Sequence, residues 1–253
     1  MEIIKSLIEN SEILDIVGKV NSFEKRADAL CNNVYILSCE KGKFVIKIAE
    51  GNNRINELKK EIDLLYLLKD YMNVPKVLLC SAFQDFYFLL MNFIDGNKPK
   101  KFDEFILRQM ALALKKIHNF SYKNEFVDFD KLIKIAEKNM LENRLDITEF
   151  LEYKNLGNPD EILHYLKSNT PIAKSCLLHG DFRPKNMLFV DKDLYVLDWG
   201  LAFYGDIYYD FAIIKYYFTE EEFDLFLNLY GIEEGFDEDR LKYNELLSLF
   251  LNV

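Results

Sequence analysis

The stretch HGDFRPKN, His179 to Asn186, decides how this chain is read. It sits between the apolar run Cys176-Leu177-Leu178 and a second run, Met187-Leu188-Phe189-Val190. After Asp191-Lys192-Asp193 the chain turns back as Tyr195-Val196-Leu197 and ends in Asp198-Trp199-Gly200. Two apolar runs around a short polar turn read as a β-hairpin. A hairpin returns the chain on itself, so Asp198 is expected near Asn186, and both near Asp181. Two carboxylates and an amide oxygen at strand ends are hard donors that suit Mg²⁺, which usually also takes substrate phosphates. Zinc would need more histidine or cysteine than His179 alone.

Phosphoryl transfer requires few protein parts. A carboxylate accepts the proton of the attacking hydroxyl, metal ions bridge the phosphates, and a lysine neutralises phosphate charge. Asp181 fits the base, and Asn186 and Asp198 fit the metal ligands. The lysine belongs on a strand, with a carboxylate on the next helix to hold it. Lys47 lies within Phe44-Val45-Ile46-Lys47-Ile48-Ala49, and Glu61 lies on the helical pattern that follows.

Outward from this constellation the chain divides at Asp95-Gly96-Asn97-Lys98-Pro99, a turn-rich stretch. Before it, residues 33–39 and 43–49 flank Glu40-Lys41-Gly42 as a hairpin. Residues 56–71 carry Leu58, Ile62, Leu65 and Leu68 at helical spacing. A strand follows Pro75, and residues 86–93 read as another. After the division helices dominate. One is capped by Asp103 and runs to about His118. A second helical region over 129–168 is interrupted near Gly157-Asn158-Pro159, and residues 207–253 return to helix. The expected fold class is α+β and bilobal. Residues 1–91 form a β-rich, nucleotide-binding lobe with one main helix, 92–96 a hinge, and 97–253 a mostly helical lobe with the catalytic loop and acceptor site.

In order along the chain stand NNVYIL (32–37), FVIKI (44–48), Glu61 with NVPKVL (73–78), LLMNFIDG (89–96), LKKIH (114–118), HGDFRPKN, LDWG (197–200) and GDIYYDFA (205–212). This series resembles the aminoglycoside phosphotransferase and choline kinase group, most closely the aminoglycoside 3′-phosphotransferases, over nearly the whole chain. The resemblance implies the protein-kinase-like fold, Mg²⁺, and ATP or GTP as co-substrate. It implies that Asp181 is the catalytic aspartate, that Asn186 and Asp198 are magnesium ligands, and that Lys47 holds the α- and β-phosphates with Glu61 as its partner. Met91, Asn92, Phe93 and Ile94 resemble the hinge whose backbone binds the base. Asp210 resembles an aspartate that braces the catalytic loop, and His179 has a structural role. Two departures stand out. Residues 22–33 (SFEKRADALCNN), where the nucleotide loop falls, contain no glycine, and no A-P-E segment follows Asp198. The second disfavours a protein kinase.

Composition narrows the partners. The chain has 253 residues, half of them hydrophobic, ample for a core. A net charge of −10 argues against nucleic-acid binding, which needs a basic face. No run approaches the ~20 apolar residues of a membrane span. The start, MEIIKSLIENSEIL, has early acids and no signal-peptide pattern. Cys31, Cys39, Cys80 and Cys176 form no C-x-x-C pair and read as reduced thiols. A cytoplasmic monomer or weak dimer is expected. Trp199, Tyr208-Tyr209 and Tyr216-Tyr217 read as packing, and His118 and His164 as structural or exposed. Residues 220–239 hold nine acids and no base. They read either as a solvated face or as a wall for a polycationic substrate. On the second reading the resemblance offers Asp224 and Glu245 as acceptor contacts, and the acceptor is a cationic small molecule carrying a hydroxyl, an aminoglycoside first. The alternatives are a kinase of choline, homoserine, a sugar or a glycated amine, and a pseudokinase that binds nucleotide without turnover. Retention of Asp181, Asn186, Asp198 and Lys47 together argues against the last.

Overall fold

The computed structural model describes residues 2–26, 33–120, 127–142, 144–145, 157–232 and 235–251. The chain forms two compact units. The first comprises Met1–Lys98 and Met187–Leu201, and the second Pro99–Asn186 and Ala202–Val253.

The first unit is built on a five-stranded antiparallel sheet. Its strands are β1 (Val20–Lys25), β2 (Asn33–Cys39), β3 (Gly42–Glu50), β4 (Val77–Phe83) and β5 (Phe86–Asn92), in the spatial order β1-β2-β3-β5-β4. The expected 33–39/43–49 hairpin is present, with Tyr35 opposite Ile46 and Leu37 opposite Phe44. Side chains alternate across a strand, and the two faces meet different partners. Tyr35, Leu37, Ile46, Ile48, Phe88 and Leu90 pack with Ile4, Leu7, Ile13 and Val17. Those last four come from two short helices, α1 (Glu2–Leu7) and α2 (Ser11–Val17). Neither helix was expected. With six and seven residues, each is too short to be stable alone and depends on the sheet for its burial. Helix α3 (Asn52–Leu68) buries Leu58, Glu61, Ile62 and Leu65. It starts at Asn52, four residues before the expected start at 56, because the entering turn is made at Gly51, with φ of +81°.

The hairpin β7 (Met187–Val190) and β8 (Asp193–Val196) belongs to this unit by compactness. Asn97 and Phe189 exchange backbone hydrogen bonds of 2.9 Å, and Val196 N donates to Asn73 O. Gly96 permits the approach, since a Cβ there would lie 2.9 Å from the Phe189 carbonyl oxygen.

The second unit is mainly helical. It contains α4 (Glu104–Phe120), α5 (Phe129–Leu141), α6 (Pro159–Ser168), α7 (Ile207–Lys215), α8 (Glu220–Tyr230) and α9 (Glu238–Leu251). Two short strands, β6 (Cys176–Leu178) and β9 (Phe203–Gly205), pair antiparallel between them. Asp103 caps α4 through Ile106 N at 3.0 Å. Asn158 and Glu161 form a capping box at α6, which marks the expected break before Pro159. Phe129, Leu132, Ile162, Leu166, Tyr209, Tyr243 and Phe250 share the core. No helix among the described residues is long and apolar enough to cross a membrane.

Tyr208, Tyr209 and Trp199 are buried. Tyr216 and Tyr217 are not. They lie 72% and 36% exposed just past the end of α7, where the chain has left the core.

Candidate active site

In the first unit, alternation along β3 sends Ile46 and Ile48 into the core and Lys47 to the face of α3. Glu61 stands one helical turn from both Leu58 and Leu65, so the stripe that docks the helix carries the carboxylate inward. Lys47 Nζ reaches Glu61 Oε1 at 2.6 Å and Asp198 Oδ1 at 2.9 Å. Burial disfavours the Lys47 ammonium, but Asp198 and Glu61 outweigh it and raise its pKa. Burial pushes the Glu61 carboxyl up, and the adjacent ammonium opposes this. Asp198 follows β8 with φ of +64°, a left-handed conformation uncommon outside glycine. The buried Trp199 next to it donates from Nε1 to Val196 O at 3.2 Å. The Asp198 side chain is half exposed. Among the expected hinge residues, Met91 is buried and Asn92, Phe93 and Ile94 are half-buried. Asn92 Oδ1 accepts from Lys76 N at 2.6 Å, which fixes the end of β5 against β4.

In the second unit, β6 delivers His179-Gly180-Asp181, and a single 3₁₀ turn over Pro184–Asn186 closes the loop. The Asp210 carboxylate is fully buried and accepts from His179 N and Gly180 N, both at 2.9 Å. His118 Nε2 lies 3.1 Å from Asp210 Oδ2, and its Nδ1 lies 2.8 Å from the Tyr230 hydroxyl. Asp210 therefore fixes the backbone on which Asp181 stands. Asp181 Oδ2 accepts from Asn186 Nδ2 at 2.7 Å, and Oδ1 accepts from Arg183 Nε. Lys185 Nζ is 3.9 Å from Oδ2. Burial opposes the Arg183 charge, yet Asp181 and the hydroxyl of Tyr217 raise its pKa above the ordinary arginine value.

The donor chemistry fits Mg²⁺. Asn186 commits its Nδ2 to Asp181, through the carboxylate and the backbone carbonyl at 3.0 Å, which leaves its amide oxygen as a hard donor. Asp198 offers a half-exposed carboxylate. Among the described residues no three His, Cys, Asp or Glu side chains form a metal cluster.

The acids of residues 220–239 are largely helix-terminal. Glu220, Glu221 and Glu222 fill the first turn of α8, and Glu222 pairs with Thr219 in a capping box. Asp237 Oδ1 accepts from Arg240 N, and Glu238 and Asp239 open α9. Carboxylates at these positions are stabilised by the helix dipole. Asp224 is exposed on α8. Glu245 is paired with Lys215 at 2.8 Å. Part of the loop at 22–33 is strand β1, and residues 27–32 lie outside the described ones, as do Glu233 and Glu234.

Sequence reasoning missed four residues near these groups. His118 and Arg183 lacked any local signal of their partners. Lys185, at i+4 from Asp181, was readable as a charge pair. Lys215 meets Glu245 only through the packing of α7 on α9.

A sequence model of the "Phosphotransferase enzyme family" (APH) matches residues 24–243. The chain belongs to this family, and it is a small-molecule kinase that phosphorylates hydroxyl groups. An aminoglycoside 3′-phosphotransferase from Niallia circulans is 24% identical over 250 residues, covering 92% of this chain and 93% of that protein. A LicA homolog from Mycoplasma capricolum is 26% identical over 189 residues, covering 74% and 73%. The fold is that of an aminoglycoside phosphotransferase from Streptomyces rimosus solved with ADP and streptomycin. The TM-score is 0.74 at 16% identity, over 99% of each chain.

Proposed function

We propose that the chain transfers the γ-phosphoryl group of ATP or GTP to a hydroxyl of a cationic small molecule, an aminoglycoside first. The observation that carries the reading is the setting of Asp181. Both carboxylate oxygens are hydrogen-bonded by neighbours in its own loop, and a buried carboxylate anchors that loop from beneath. A carboxylate so oriented can align an acceptor hydroxyl and take its proton. Lys47 is assigned to the α- and β-phosphates, with Glu61 holding its ammonium. Met91, Asn92, Phe93 and Ile94 are assigned to the base, and Asn186 and Asp198 to Mg²⁺. The metal, when bound, neutralises charge on the β- and γ-phosphates.

The acceptor class rests on the aminoglycoside phosphotransferases among the relatives and on the net charge of −10. Asp224 and Glu245 are its proposed contacts. A second reading, a kinase of choline, homoserine, a sugar or a glycated amine, is favoured by one observation. Most acids of the 220–239 run are engaged at helix N-termini, and Glu245 is already paired.

The test is nucleoside diphosphate release with ATP or GTP and Mg²⁺, against aminoglycosides and metabolite alcohols, at low and raised salt. The first reading predicts an aminoglycoside as best acceptor, with a KM that rises with ionic strength. A neutral or anionic best acceptor, or choline, overturns it in favour of the second.

A further inference from the structure

We infer that Arg183 is a catalytic residue of this chain, a guanidinium that stabilises the negative charge of the phosphoryl group in transfer. The inference rests on the kinase reading and deepens it. Arg183 touches Asp181 through Nε alone. A guanidinium has five N–H donors, and beyond Asp181 only the Tyr217 hydroxyl engages it among the described residues. The two Nη groups thus retain donors beside the carboxylate assigned to the reacting hydroxyl. The side chain is 23% exposed, so these donors are partly withdrawn from water yet still reachable.

A role confined to holding Asp181 in place is superfluous. Asn186 already fixes Oδ2, and Asp210 fixes the backbone. The local charge also departs from the rest of the chain. Arg183 and Lys185 around a single Asp181 leave a net charge of +1, in a protein whose net charge is −10. A cationic acceptor gains nothing from two cations at its hydroxyl end. A phosphoryl group gains, because its transition state spreads negative charge over three oxygens. Donors fixed in advance toward such charge act without reorganisation. Tyr217 is the positioning residue: its hydroxyl engages the guanidinium alongside Asp181.

The test compares Arg183→Gln, Arg183→Lys and Tyr217→Phe with the wild type. Nucleoside diphosphate release is followed with Mg²⁺ and ATP or GTP, both with water as acceptor and with the best acceptor of the panel. Nucleotide affinity is measured separately by equilibrium binding, and folding by thermal melting. Loss of one charge-stabilising donor typically costs about 10²–10³-fold in kcat. Arg183→Gln is expected to lose about 100-fold in kcat in both assays, with nucleotide affinity within about threefold. Arg183→Lys keeps the charge but not the planar fork, and is expected to fall between the two. Tyr217→Phe, which leaves Arg183 in place, is expected to lose a few-fold in kcat and keeps the inference testable if the Arg183 variants do not fold. A kcat within about threefold of wild type for Arg183→Gln, or a loss confined to KM, overturns the inference and leaves the kinase reading standing. Wild-type protein that binds nucleotide but never turns it over overturns both.

Discussion

The two units carry charge clusters of opposite construction. In the first, one cation, Lys47, stands between two carboxylates, Glu61 and Asp198, with a net charge of −1. In the second, one carboxylate, Asp181, stands among Arg183, Lys185 and the Asn186 amide, with a net charge of +1. On the proposed assignments, the excess negative charge of the first suits a metal cation and the excess positive charge of the second a phosphoryl group. They differ also in what holds them. Lys47 is held by side-chain ion pairs to Glu61 and Asp198. Asp181 is held by its backbone, through the Asp210 carboxylate that takes two N–H groups and the His118 ring. The lesson is that a side chain held by other side chains and one held through its loop backbone suit different duties. On the proposed assignments, the phosphates fall to the lysine held by side chains and the acceptor hydroxyl to the carboxylate whose loop is anchored.

The comparison can be broken from either end. The largest effect is expected from Asp198→Ala. It removes the proposed metal carboxylate, which supplies several kcal/mol of charge stabilisation, about 10³-fold or more. Diphosphate release should become undetectable, as it should in EDTA. Next is Asp181→Asn, which keeps the shape and removes the proton acceptor. General-base contributions predict a kcat lower by about 10²–10⁴-fold, with nucleotide affinity nearly unchanged in a binding assay. Lys47→Met should leave Glu61 buried and uncompensated, costing roughly 3 kcal/mol in denaturant unfolding. The paired change Lys47→Met with Glu61→Leu should restore much of the stability and none of the activity, since an apolar pair can replace a buried ion pair.

Alkaline pH probes the core of the helical unit. Burial raises the pKa of Tyr209 and Tyr230, and pushes Tyr243 up to about 12. All three lie in the helical unit. Their phenols ionise more readily in the unfolded chain, so stability is retained below about pH 10 and lost as pH rises above it. Melting temperature should fall across that range, and Tyr243→Phe should lessen the fall. The smallest effect concerns Asp224→Asn and Glu245→Gln. Each should raise the acceptor KM only a few-fold, because charge pairs at the surface are worth about 1 kcal/mol or less.

Much of this was legible because it is local. Lys47 and Glu61 follow from a period of two along one strand and of 3.6 along the next helix. The β7–β8 hairpin follows from two short runs around a turn. Asp103 and the Asn158 capping box are likewise written within four residues. What was not legible depends on distant pairing. Helices α1 and α2 gain stability only against a sheet face formed later in the chain. His118 finds Asp210 across 92 residues. Arg240 grips the buried Asp206 at 2.5 and 2.6 Å from 34 residues away. The acid-rich run left its two readings open for the same reason. A string of carboxylates looks like a wall until the caps of two separate helices divide it. Tyr216 and Tyr217 were misplaced because an aromatic run does not reveal where its helix ends.

The central claim is transfer to a hydroxyl, and phosphorus NMR on a single reaction mixture tests it most directly. Wild-type protein, Mg²⁺, ATP or GTP and the best acceptor of the panel should lose the γ-phosphate resonance and gain that of a phosphate monoester on the acceptor. The Asp181→Asn protein should show neither change on the same timescale. A spectrum in which the nucleotide persists, or yields only inorganic phosphate with every acceptor, would contradict the account.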